Sequence, residues 1–175
     1  YKQINGKSPI LEETSNQKNA LLNLLDNNKF SLFIAMRYWH PFTKEALIEV
    51  EKIKPTRILM IPLYPQFSTT TTGSSITELK KTAQQLNLTV PTNILCCYPF
   101  EQKFIAAHVE LIKNTLKQLS SNNFRIIFSA HGLPQSIINK GDPYEWQINT
   151  TVEHIIKYGN FDSKKCRISY QSKVT

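Results

Sequence analysis

The sequence predicts an α/β fold in which parallel sheets carry amphipathic helices on both faces. Two patterns lead there. Apolar runs of strand length alternate along the chain with amphipathic runs of helix length. The strand-length runs are also near-continuous in apolar residues, as strands buried on both faces are.

The elements follow in order. "NQKNALLNLLDN" (16–27) reads as a helix and "FSLFIAMRY" (30–38) as a strand. Helix "TKEALIEVEKI" (43–53), strand "RILMIPLY" (57–64) and helix "SITELKKTAQQL" (75–86) come next, followed by strand "TNILCCY" (92–98). Residues 101–119 are predicted as the longest helix, with Phe104, His108, Leu111, Ile112 and Leu116 on its apolar stripe. That helix is placed between two sheet domains, with a boundary near residue 100. In 124–130, Phe124, Ile126, Ile127 and Phe128 are aromatic or β-branched and mark a buried strand. Asp142, Pro143 and Glu145 then form a helix start, with a capping aspartate, a proline at the first helical position and a glutamate as capping-box partner. The last helix runs over 143–159 and the last strand over 166–172.

Composition excludes several classes. A chain of 175 residues buries one sizeable core or parts of two. No apolar run approaches the roughly 20 residues needed to span a bilayer, and no basic segment leads into a hydrophobic stretch, so the chain reads as intracellular and soluble. The net charge of +8 comes from scattered lysines without a nucleic-acid motif. It reads as a solvated basic surface, with attraction to anionic substrates or an acidic membrane face as the second reading. Cys96 and Cys97 are adjacent in a predicted strand and point to opposite faces, so they do not share one ion; with Cys166 they read as structural thiols of a reducing compartment.

In open parallel sheets ligands bind beyond the carboxyl ends of the strands. The unusual residues gather there: "RYWHP", "YPQFSTTTTGSS", "YPF", "HGLPQSIINKGDPY" and "YQSK" each follow or end a predicted strand. Aromatic rings, hydroxyls, Arg37 and His131 suit a large flat ligand with anionic groups. "TTTTGSS" lacks the phosphate-loop lysine and no GxGxxG occurs, which disfavours a nucleotide. Gly132 and Pro134 stop the strand just after His131. His108 lies on an apolar stripe and His154 late in a helix where the dipole favours it; His40 beside Pro41 either lines the pocket or serves in a turn, and by position alone a strand-end histidine such as His131 is more often a turn or capping residue than a catalytic one.

"FSAHGLP", "GDPY", "MRYWHP", "YPQFSTTTTGSS" and "YQSKV" occur in the order and approximate spacing of ferrochelatases, which the chain resembles over nearly its whole length. The resemblance implies two similar chelatase-like domains, each a parallel sheet flanked by helices, here incomplete at both termini, with 1–100 in the first and 101–175 in the second. It implies insertion of ferrous iron into a porphyrin, protoporphyrin IX or coproporphyrin III, with iron as substrate. His131 matches the active-site histidine, as proton acceptor and as metal ligand. Neutral imidazole fits both roles, with an unperturbed pKa of roughly 6.5 and a free lone pair. Arg37, Tyr38 and Tyr64 match positions contacting the macrocycle or its propionates. Ser68, Thr72, Gly73 and Ser74 fall in a loop resembling the pocket wall, with Gln66 supporting it.

The resemblance also implies segments before Tyr1 and after "YQSKV", the latter carrying a glutamate and further acidic residues opposite the histidine. Without them the 175-residue chain alone is expected to be inactive. Thr69 stands where some members place a cluster-binding cysteine, so no iron–sulfur cluster is expected. The expected setting is cytoplasmic, with peripheral membrane contact and no nucleic-acid partner. A related cobalt or nickel tetrapyrrole chelatase and a non-catalytic tetrapyrrole-binding fragment are the alternatives.

Overall fold

The computed structural model describes residue 6 and residues 8–172. It divides into two compact units, Tyr1–Ile58 with Ser75–Asn93, and Leu59–Ser74 with Ile94–Thr175.

In the first unit α1 (Ile10–Leu22) buries none of its residues, whereas α2 (Thr43–Lys52) buries Thr43, Ala46, Leu47 and Val50 along one stripe. The start of α2 is fixed by Glu45, whose carboxylate accepts the Phe42 N–H. The strand predicted over 30–38 does not form: a single bridge joins Met36 to Phe42, and the Met36 N–H turns back to the Pro41 carbonyl at 2.7 Å across the cis His40–Pro41 bond. A strand needs a neighbouring ladder, and apolar composition alone supplies none.

β1 (Ile58–Met60) and β2 (Thr92–Ile94) pair with each other where the chain passes between units. Both are shorter than predicted. The Leu95 N–H still reaches the Met60 carbonyl at 2.9 Å, but Pro62 and Pro65 carry no N–H to continue the ladder. Between them in sequence, a π-turn over Thr69–Gly73 leads into α3 (Ser74–Gln85).

The second unit is built from α4 (Gln102–Leu116), β3 (Ile126–His131), α5 (Gln135–Ile138), α6 (Tyr144–Gly159) and β4 (Cys166–Gln171). β3 and β4 are parallel, in register from Ile126 opposite Cys166 to His131 opposite Gln171. Ile105 and Val109 of α4 pack on Ile155 of α6, with Phe104, Ile112, Phe128 and Phe161 around them. Each such buried side chain contributes about 1.5–3 kcal/mol.

Two predictions for this unit shift. The buried stripe of α4 runs through Ile105 and Val109, one position from the predicted one, and Leu111 is 66% exposed. The branched residues take the core and leave His108 half-buried at its edge. The longest helix is α6 with 16 residues, against 15 for α4. Its end is closed by Asn160 in the left-handed conformation (φ 54°), with the Phe161 N–H on the Ile156 carbonyl at 3.0 Å and the Asn160 N–H on that of Lys157 at 3.2 Å. Phe161 folds back so closely that Gly159 has no room for a side chain.

Candidate active site

His131 ends β3. Exposure alternates along that strand, placing Ile126, Phe128 and Ala130 on one face and Ile127, Ser129 and His131 on the more open one. Phe128 anchors the covered face to the helical core. The Gly132 N–H extends the pairing by donating to the Gln171 carbonyl at 2.7 Å, and a Cβ on Gly132 would stand only 3.0 Å from that oxygen. The histidine is therefore held at the carboxyl end of a paired strand, with its side chain exposed.

Tyr144 meets the His131 backbone, and Tyr170 stands in register with the preceding Ala130. Burial raises the Tyr144 phenol, and a hydrogen bond from the His131 backbone pulls it partly back. Burial raises Tyr170 too, and nearby Glu145 and Tyr144 push the same way.

The link between loops is Asp142, which is buried. Its Oδ1 accepts the Tyr144 N–H at 3.1 Å and so closes the start of α6, but the N-cap position falls on Pro143, one residue later than predicted, with Tyr144 and not Pro143 as the first helical residue. Sequence reasoning missed the other half of its role. Oδ2 accepts the Thr69 N–H at 2.7 Å, the Thr69 hydroxyl at 2.7 Å and the Ser68 hydroxyl at 3.1 Å. Burial pushes this carboxyl up, but the bonds from Thr69, Tyr144 and Ser68 outweigh it and leave the group below its ordinary range. α6 holds the same loop at two further points: Gln147 Oε1 accepts the Phe67 N–H at 2.7 Å, and Gln66 Nε2 donates to the Thr151 hydroxyl at 3.1 Å.

The predicted wall residues are distributed accordingly. Ser68 and Thr72 are completely buried, and the Thr71 and Thr72 hydroxyls have no hydrogen-bond partner. Gly73 ends the π-turn and Ser74 starts α3. Tyr64, before the loop, is 42% exposed. These residues share a unit with His131, while Arg37 and Tyr38 belong to the other, where the Arg37 guanidinium lies 4.9 Å from the centre of the Tyr38 ring. Lys173 and Val174 of "YQSKV" lie outside the described residues.

The other histidines have identifiable partners. His40 Nδ1 lies 2.9 Å from Glu45, whose carboxyl is lowered by the Phe42 amide and by His40. His108 packs edge-on to Phe104, and burial lowers its pKa. His154 stacks on Phe100 at 5.5 Å. Cys96 is exposed, Cys97 half-buried and Cys166 buried. Among the described residues no three His, Cys, Asp or Glu side chains gather as a metal site, and no helix is long and apolar enough to cross a membrane.

A histidine at the carboxyl end of a parallel strand, with Tyr144 against its backbone, marks an α/β protein, a class in which ligands bind at that edge of the sheet. The chain belongs to the ferrochelatase family, whose profile matches residues 1–175. It is 49% identical over 177 residues to the ferrochelatase of Rickettsia conorii, covering 99% of this chain and 50% of that protein. It is 45% identical over 177 residues to that of Rickettsia bellii, covering 99% and 48%. Against the ferrochelatase of Pelagibacter ubique it is 42% identical over 178 residues, covering 99% and 51%. The chain thus spans about half the length of these curated relatives.

Proposed function

We propose that the protein containing this chain inserts ferrous iron into a porphyrin, protoporphyrin IX or coproporphyrin III, to form haem. The reaction replaces two pyrrole N–H protons with one Fe²⁺ and releases two protons. The observation that carries the reading is His131, exposed at the end of β3 within the "SAHGLP" motif of the family that matches the whole chain. Its imidazole has one basic lone pair, which takes a pyrrole proton or holds the arriving metal in separate steps and not both at once.

Arg37 pairs with a propionate, and Tyr38 and Tyr64 meet the macrocycle, since neither guanidinium nor phenol is an effective proton acceptor near neutrality. Ser68 and Thr72 act through the shape of the wall rather than by donating their hydroxyls, because Ser68 is committed to Asp142 and both are buried, and Gly73 and Ser74 complete that wall. Residues 1–100 and 101–175 are assigned to two successive chelatase-like domains of the whole protein. No iron–sulfur cluster enters this reading, the Thr69 hydroxyl being bound to Asp142. The protein works in the cytoplasm with peripheral membrane contact through its basic surface, and without nucleic acid.

The test uses the full-length protein with protoporphyrin and Fe²⁺ under anaerobic conditions, following the porphyrin absorption bands. His131→Ala is expected to remove nearly all insertion while leaving circular dichroism unchanged; a near-normal rate overturns the reading. Preference for Co²⁺ or Ni²⁺ with another tetrapyrrole, or binding without turnover, supports the respective alternative.

A further inference from the structure

Capping α6 needs only one acceptor atom, and serine or asparagine serves as well as aspartate. Asp142 does more than cap. Its second oxygen takes three bonds from Ser68 and Thr69, 74 and 73 residues away in sequence. Burying a carboxylate is costly unless donors satisfy it, so the three donors and the buried charge belong together. The atoms they join lie on two loops: one follows Tyr64, and the other leads from His131 to Tyr144, whose phenol meets the His131 backbone.

We infer that Asp142 is a positioning residue for the porphyrin site, one carboxylate locking the Ser68–Gly73 wall to the start of α6 and so fixing the wall relative to His131. This rests on the function proposed above. His131 itself is placed by the β3–β4 ladder, which Asp142 does not touch. Loss of the link therefore loosens the wall against which the macrocycle binds more than it displaces the proton acceptor.

The experiment is steady-state insertion kinetics of the full-length protein, with Asp142→Asn, Thr69→Val and the double variant. Asp142→Asn is expected to raise KM for protoporphyrin about tenfold while kcat changes by less than about twofold. Thr69→Val, which removes one 2.7 Å bond, raises KM less, and the double variant is no worse than Asp142→Asn, since both changes break one link. A purely structural role lowers the unfolding temperature without moving KM at a temperature where every variant is folded. An unchanged KM, additive effects, or a fall in kcat alone overturns the inference. If Asp142→Asn does not fold, Ser68→Ala and Thr69→Val, which keep the cap on α6, must show the KM rise. His131→Ala runs alongside: if it inserts metal normally the functional reading fails, whereas if it is inactive and the link variants keep wild-type KM, only the positioning role fails.

Discussion

Replacing Gly132 with alanine places a methyl group against the backbone of β4 immediately beside the proposed proton acceptor. The new Cβ would lie 3.0 Å from the Gln171 carbonyl oxygen, 3.5 Å from that of Ser172 and 3.9 Å from Tyr170 Cβ. Comfortable carbon–oxygen contacts begin at about 3.3 Å, so one strand end must yield by roughly 0.3 Å or more. Gln171 cannot simply retreat: its carbonyl accepts the Gly132 N–H at 2.7 Å, and the residue is in register with His131. Overpacking of this kind costs about 1–3 kcal/mol, and the smaller unfolded-state entropy of alanine offsets about 0.4–1 kcal/mol of that. In a full-length protein of about twice this length, a net loss of about 1–2 kcal/mol corresponds to an unfolding temperature lower by about 1–3 °C. Because a misplacement of about 1 Å can cost on the order of a hundredfold in rate, a shift of a few tenths should slow metal insertion several-fold. Gly73→Ala is the control for stability alone, since its Cβ meets Phe67 Cζ and the Ser68 carbonyl at 3.4 Å, at the edge of ordinary contact, while wild type is the reference for the rate because Gly73 belongs to the proposed wall. Calorimetry and insertion rates of the full-length variants decide the matter. Gly132→Ala as stable as Gly73→Ala and as fast as wild type would refute the reasoning.

Three further outcomes are expected. Gly159→Ala sets a Cβ 2.2 Å from Phe161 Cε2 and should destabilise by about 1–3 kcal/mol, a loss that disappears in a Phe161→Ala background; persistence of the full loss there would show that the ring is not the cause. Thr72→Val removes a completely buried, unpartnered hydroxyl at nearly constant shape and should raise the unfolding temperature by a few degrees, for about 1 kcal/mol; a drop of that size would mean the hydroxyl is satisfied. Asp142 has a folded pKa below its unfolded one, so its stabilisation is fully present above about pH 4 and is lost as pH falls through the lower, folded value. The gap in urea midpoint between wild type and Asp142→Asn should therefore narrow from pH 5 towards pH 2, and a constant gap would contradict the assignment.

What the sequence revealed of this fold divides by distance along the chain. α2, α3, α4 and α6 were legible because helical periodicity is set by neighbours three and four residues apart. The cap at Asp142 was legible for the same reason, since its partner Tyr144 is two residues on. Its bonds to Ser68 and Thr69 were not, because no local pattern announces partners 74 and 73 residues away. Residues 30–38 have strand composition, but strand formation depends on a neighbour that composition cannot name. The α4 stripe was misread by one position because Phe104 and His108 share a face with Ile112, and only packing against Ile155 selects Ile105 and Val109 instead. His131 could be placed because the apolar run before it and Gly132 after it bracket the strand end.

The pairing of Ile126 with Cys166 has a kinetic consequence. Closing a loop of about 40 residues costs roughly 3 kcal/mol of chain entropy before any contact rewards it. Helical turns, by contrast, form within about a microsecond. Refolding should therefore lay down α4 and α6 first and zip β3 to β4 afterwards, and pulse-labelled hydrogen exchange should show α6 amides protected before those of 126–131; simultaneous protection would speak against that order. His131, at the far end of the ladder, then reaches its place late, and nascent or partly unfolded chains carry the histidine without carrying the site.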